Sequence, residues 1–203
     1  MTMQLAPIVM EDRFVRLEPL TVAHRADLRE ACAADPAIWE RLYPVSWDDA
    51  HFDDTWAWLR RENEAGRYMS FAVTAQGRCV GVTSYLSIEP ANATVEIGGT
   101  YYRPEVRGGA VNPAAKRLLL ANAFARGARR VQFKVDALNN RSRAAVRKLG
   151  AAQEGILRQD RVVWTGRVRD TVIFSILAPE WPSVRERLEA RLASLAGADA
   201  DVR

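Results

Sequence analysis

Apolar and polar residues alternate from Val15 to Leu20, and the alternation stops at Pro19, which predicts a short first strand. Thr21 then reads as the cap of a helix over 22–33 that ends ahead of Asp35-Pro36. Ser46 or Asp48 opens a second helix, with Phe52, Trp56 and Leu59 at helical spacing and Gly66 at its end. Two strands over 69–74 and 79–88 form a hairpin around Gln76-Gly77-Arg78. A third strand over 94–102 carries Gly98-Gly99 in its middle. Two adjacent glycines weaken a strand, so they predict a bulge or a place where something approaches the backbone.

Beyond it, leucines, alanines and Phe124 recur at helical spacing over 113–126, with Gly127 as C-terminal cap. A strand over 131–135 and a short helix over 141–149, ended by Gly150, come next. A hairpin over 156–164 and 167–177 turns at Thr165-Gly166, and a helix over 179–195 closes the pattern. The order predicts a mixed sheet flanked by helices in one α/β-type domain over 14–195, with an extension at 1–13 and a flexible tail at 196–203.

Composition narrows the function. A chain of 203 residues, 48% hydrophobic, can build one sizeable core. The two cysteines, Cys32 and Cys79, are too few for a disulfide framework, and neither they nor His24 and His51 have metal-type spacing. The expected protein is therefore metal-free and in a reducing compartment. The first residues lack a basic leader and no long apolar run occurs, so a cytoplasmic protein with no membrane span is expected. Net charge is +4, with basic residues clustered in 126–134 and 141–148, which suits a phosphorylated ligand. Nucleic acid is the competing reading of the 126–148 cluster, and the scattered acids argue against it.

The segment Arg107-Gly108-Gly109-Ala110-Val111-Asn112-Pro113 joins a strand to a helix, where free N–H groups and the helix dipole favour an anion. Asn112 is a favoured N-cap residue, and Pro113 at the first helical position gives up an N–H that has no intrahelical partner. Gly108 and Gly109 allow close backbone approach and Arg107 adds charge. Lys116 lies between Ala115 and Arg117, so the Gly-Lys-Ser/Thr ending of a nucleotide P-loop is absent, and so is a dinucleotide fingerprint.

VEIGGTYYRPEVRGGAVNPAAKRLLL, VDALNNRSRAAVRKLGA and GILRQDRVVWTGRVRDTVIFSILAPEW, in that order, resemble the GNAT acetyltransferase superfamily and its RimJ/RimL-like branch. The resemblance implies acetyl-CoA or another acyl-CoA as cosubstrate, held where strands 94–102 and 131–135 splay apart. It places the pyrophosphate on Arg107, Gly108, Gly109, Ala110, Val111 and Asn112, with Ala110 and Asn112 standing at two small positions of the family loop. It places Asn139, eleven residues before Gly150, on the pantetheine arm, and Ser142 at a small or hydroxyl position near the cofactor that also suits helix capping. Many relatives have a tyrosine acid four residues after Ser142; here it is Val146.

Acyl transfer needs a neutral amine. Deprotonating an α-amine of pKa about 8 at neutral pH costs roughly 1 kcal/mol, against between about 4 and 5 for a lysine amine. A protein N-terminus or a small amine is therefore the expected acceptor. Glu96, just before the glycine pair, is at the position where several superfamily members have a carboxylate base, and a bulge beside it could present an N–H to the thioester oxygen. The catalytic candidates are Glu96 and Ser142. Asp170 is expected to pair with Arg167 or Arg169. Acceptor-side residues are expected from the first two helices and the hairpin around Trp164. A homodimer is compatible with this reading, and a coenzyme A-binding domain without turnover is the alternative that the altered loop and Val146 keep open.

Overall fold

The computed structural model describes residues 2–200. Its first half contains β1 (Met10–Glu11), β2 (Arg16–Pro19), α1 (Arg25–Ala33), α2 (Ala37–Leu42), α3 (Phe52–Glu64), β3 (Tyr68–Ala75) and β4 (Arg78–Glu89). Its second half contains β5 (Thr94–Tyr102), α4 (Val111–Ala125), β6 (Arg130–Asp136), α5 (Asn140–Leu149), β7 (Ala152–Val162), β8 (Val168–Leu177) and α6 (Trp181–Ala200). The strands form one mixed sheet in the order β1-β2-β3-β4-β5-β6-β8-β7, flanked by helices, as the periodicity predicts. Every neighbouring pair is antiparallel except β5 and β6. Among the described residues no helix is long and apolar enough to cross a membrane.

Local chemistry explains most of the elements. Gln76 and Gly77 both have positive φ, 51° and 75°, which makes the two-residue turn whose twist matches paired strands. Gly127 and Gly150, at φ 90° and 105°, end α4 and α5 in the left-handed conformation that glycine adopts without a Cβ penalty. One face of the sheet packs Phe71, Tyr85, Val95, Val131 and Phe174 against Leu119 and Leu120 of α4 and Val184 and Leu188 of α6. The other face packs Ala72, Val82 and Tyr101 against α1, α2 and α3 through Leu28, Trp39, Phe52 and Trp56.

Several expectations are corrected. Helix α2 replaces an expected loop: Pro36 has φ −65° and ψ −30°, so it initiates a helix instead of only ending the previous one. The first helical turn, Val22–His24, is 3-10, and Thr21 N–H bonds the His24 ring nitrogen at 3.1 Å. His24 is half-buried and sits 3.0 Å from Glu18. Strand β7 begins at Ala152, well before 156, because pairing with β8 recruits a segment of weak intrinsic strand pattern. Of the expected flexible tail, 196–200 continues α6, and 201–203 lie outside the described residues.

Candidate active site

Strands β5 and β6 pair only at Thr94–Arg130, Val95–Val131 and Glu96–Gln132. Beyond that level β5 continues to Tyr102 and β6 to Asp136 without pairing to each other, so the sheet opens in a V. Two facing strand edges with unsatisfied backbone groups form a slot for a ligand that itself carries amides.

A bulge in β5 lies beside the vertex. Ser84 pairs with Gly98 and Val82 with Tyr101, so β5 has one residue more than β4 over this stretch, and Gly99 turns to φ 57° to accommodate it. Gly98 is required by space. A Cβ there would lie 2.7 Å from Leu86 Cδ1 and 3.1 Å from Glu96 Oε1. The bulge is braced from behind: Tyr43 donates to the Thr100 carbonyl at 2.9 Å, and Lys116 Nζ donates to Thr100 Oγ1 at 2.8 Å. Among the described residues Lys116 has no carboxylate partner, and desolvation by burial pushes its ammonium down to about 7.

Glu96 is 6% exposed at the vertex. Burial raises its carboxyl above the usual carboxylate range, while Lys134 Nζ, 3.3 Å away, pulls it partly back. An open cavity of about 380 Å³ lies in front of it, with Tyr68, Leu86, Lys134 and Arg161 among its walls. Arg161 brings β7 to this cavity, and the β7–β8 hairpin is fastened to the segment around α2, Trp164 Nε1 donating to the Trp39 carbonyl at 3.1 Å and Trp164 N–H to the Pro44 carbonyl at 3.2 Å. The hairpin and the first helices thus meet on this face.

At the other end of the V, α4 starts at Val111, with Ala110 as the N-cap residue and no side chain bonded to the cap. Asn112 is not the cap: it lies inside the first turn, and Pro113 is third, still among the positions whose N–H has no intrahelical partner. The amides here are left for another acceptor. Gly108 has φ 84°, and a Cβ there would meet nothing within 4 Å, so the loop surface is open. Arg107 turns inward instead, donating from Nε to the Tyr102 carbonyl at 2.7 Å and pairing with Asp35.

Asn139 caps α5, its Oδ1 accepting from Ser142 N–H at 2.9 Å. That bond fixes the Asn139 amide at the β6 edge of the V and makes Ser142 the third residue of the helix. Val146 is buried in the core. Asp170 does not pair with Arg167 or Arg169. It accepts from Gln159 N–H at 2.7 Å, whereas both arginines stand by the buried Asp136; alternation along β8 sends 169 and 170 to opposite faces, and Arg167, just ahead of the strand, reaches the Asp136 side. Much of the 126–148 basic cluster is engaged within the protein, Arg130 with Glu154, Arg129 with the Asn92 carbonyl and Arg147 with Gln153. Sequence reasoning missed Lys134, Tyr43 and Lys116, whose partners are all distant in the chain.

A mixed sheet opened at its one parallel pair, beside an uncapped helix start, defines the acyl-CoA N-acyltransferase class. The chain belongs to the GNAT acetyltransferase family: the model described as acetyltransferase (GNAT) domain matches residues 15–152. It is an acyl-CoA-dependent N-acetyltransferase. A GCN5-related N-acetyltransferase from Brucella melitensis is 31% identical, with a TM-score of 0.87 over 95% of this chain and 89% of that one. An acetyltransferase from T. thermophilus is 37% identical, with a TM-score of 0.84 over 94% of this chain and 100% of that one. RimJ from Mycobacterium smegmatis, in complex with CoA-disulfide, is 26% identical, with a TM-score of 0.78 over 91% of this chain and 95% of that one. No curated protein matches the chain.

Proposed function

We propose that this N-acetyltransferase acylates a protein N-terminal α-amine or a small amine, with Glu96 as base. The observation that carries the reading is the end of β5–β6 pairing at Glu96, which sets a buried carboxylate at the vertex of the slot. The uncapped amides at Gly109, Ala110 and Val111 suit the pyrophosphate of acyl-coenzyme A, and the unpaired edges of β5 and β6 suit its pantetheine amides. Asn139 lies three residues past the end of β6, and its cap bond uses only the side-chain oxygen, which leaves the amide nitrogen available for the arm.

Acyl-coenzyme A supplies the thioester. The amine nitrogen forms a bond to the carbonyl carbon, its proton passes to Glu96 directly or through a water, and the carbon–sulfur bond breaks with the electron pair leaving on sulfur. Backbone N–H groups of the Gly98–Thr100 bulge are the candidate donors to the carbonyl oxygen as charge builds on it. A thiol of pKa about 8.5 leaves readily, so Val146 in place of a tyrosine acid costs little, and Ser142 or a water can return the proton. A raised carboxyl pKa suits Glu96 to take a proton near neutral pH.

The test is a thermal shift. Acetyl-coenzyme A at a hundredfold excess over its dissociation constant should stabilise by about 2.7 kcal/mol, and dephosphorylated pantetheine by much less. Equal shifts, or none with either, would reject the pyrophosphate assignment to 107–112.

A further inference from the structure

Arg169 of β8 pairs across from Arg161 of β7, just past the end of the β6–β8 ladder. Thr171 pairs with Asp136 and Ile173 with Lys134, so strand alternation puts Arg169 on the sheet face that carries Asp136 and Lys134. Glu96 shares that face through its pairing with Gln132. Arg169 therefore belongs to the Glu96 side of the sheet.

Only 5% of Arg169 is exposed, and burial disfavours its charge. A guanidinium has five N–H donors, and buried donors are nearly always satisfied. Its Nε–H is shut off from solvent with no acceptor among the described residues. The carboxylate beside it, Asp136, stands 3.9 Å from that nitrogen, beyond hydrogen-bonding reach. Asp136 is already engaged, by Arg167 at one oxygen and by Leu138 N–H at 2.9 Å at the other. Asp160 is engaged too, accepting from the Thr171 hydroxyl at 2.8 Å and from Arg161 Nε at 3.4 Å. Arg161, across from Arg169, lines the cavity in front of Glu96 together with Lys134.

We propose that Arg169, with Arg161 beside it, is an anion subsite on the acceptor side of Glu96, and that the acceptor is an amine bearing a carboxylate at the end away from the reacting nitrogen. This rests on the acceptor entering from the Glu96 side, as in the functional reading above. A guanidinium presents parallel donors that match a carboxylate. The subsite also orients the amine, since anchoring one end of a short acceptor restricts where the other can go.

The experiment compares ω-amino acids of increasing length with their amides and with aminoalkyl phosphates, using wild type, Arg169→Met and Arg169→Lys, while coenzyme A affinity and melting temperature are followed separately. At one chain length the carboxylate should exceed the amide in kcat/KM by on the order of 10- to 100-fold, and Arg169→Met should abolish that preference by raising KM, with Arg169→Lys recovering part of it. Coenzyme A affinity should not change, and Arg169→Met should melt no lower than wild type because Asp136 keeps Arg167. Aminoalkyl phosphates outperforming the carboxylates would overturn the carboxylate assignment. Equal use of acid and amide, equal slowing of both by Arg169→Met, or a fall of several degrees in its melting temperature would overturn the subsite. If coenzyme A binds and no amine is acylated, the functional reading fails by itself; the subsite is then decided by whether millimolar glutarate raises the melting temperature of wild type and not of Arg169→Met.

Discussion

The carboxylate of Glu96 stands 3.3 Å from the ammonium of Lys134, and the two side chains come from strands that stop pairing at that level. Burial raises the proton affinity of Glu96 and Lys134 opposes it, so this contact bears on where the carboxylate loses its proton.

Glu96→Gln keeps shape and reach while removing the proton acceptor. Turnover should fall about 100-fold, the lower end for a positioned base, because an α-amine needs little help near neutral pH. Coenzyme A affinity measured by calorimetry should survive. Full activity with an unaltered pH profile would remove Glu96 from the mechanism.

Lys134→Met removes the cation that lowers the Glu96 pKa. A base must be deprotonated to act, so the acidic limb of kcat/KM should move to higher pH in this variant, with the plateau less affected. A limb that stays in place would assign it to the amine substrate.

Asn139 offers two separable groups. Asn139→Ala should lose the cap to Ser142 N–H, about 1 kcal/mol of stability, together with affinity for coenzyme A. Asn139→Asp keeps a capping oxygen and loses the N–H donors, so stability should be retained while calorimetric affinity drops. Unchanged affinity in both variants would leave Asn139 a local cap.

Arg107 faces Asp35 and the Tyr102 carbonyl, away from the open loop surface. Arg107→Met should therefore lower the denaturation midpoint while changing coenzyme A affinity less than tenfold, under about 1.4 kcal/mol. A larger loss of affinity with unchanged stability would show that the side chain swings out to the cofactor.

Lys116, pushed down to about 7, makes stability depend on pH. Above about 10.5 both states are neutral there; as pH falls the unfolded chain takes the proton first, so stability declines until about 7 and then levels off. Lys116→Met should be the more stable protein at pH 7 by a few kcal/mol, less about 1 kcal/mol for the lost bond to Thr100, with the gap closing towards pH 10. Denaturant midpoints at the two pH values measure this. A gap independent of pH would mean that Lys116 stays charged in the fold.

Elements whose cause is local could be read from the chain. Gln76-Gly77 sets its turn through positive φ, Gly98-Gly99 announces a bulge because only small residues clear Leu86 and Glu96, and α4 follows from apolar spacing over four turns. Asn112 misled for the same reason: cap preference is local, but the helix starts two residues earlier, where Ala110 takes the cap position with no side-chain bond.

What sequence could not decide depends on strands distant in the chain. Thr94–Glu96 and Arg130–Gln132 are separated by a whole helix, and whether their pairing continues or stops at Glu96 is fixed by how α4, α5 and the bulge pack, not by either strand's own pattern. Lys134 beside Glu96, Asp35 beside Arg107 and Lys116 behind Thr100 are contacts of that kind. Composition supplied an arginine at 169 and left its surroundings open; only the assembled sheet buries it next to an acid already taken by Arg167. Apart from α2 and the start of β7, the elements, their order and the family motifs are written in the chain, because turn chemistry and periodicity act over a few residues. Tertiary structure alone decided which charges share a low-dielectric space, because burial and pairing are properties of the packed chain.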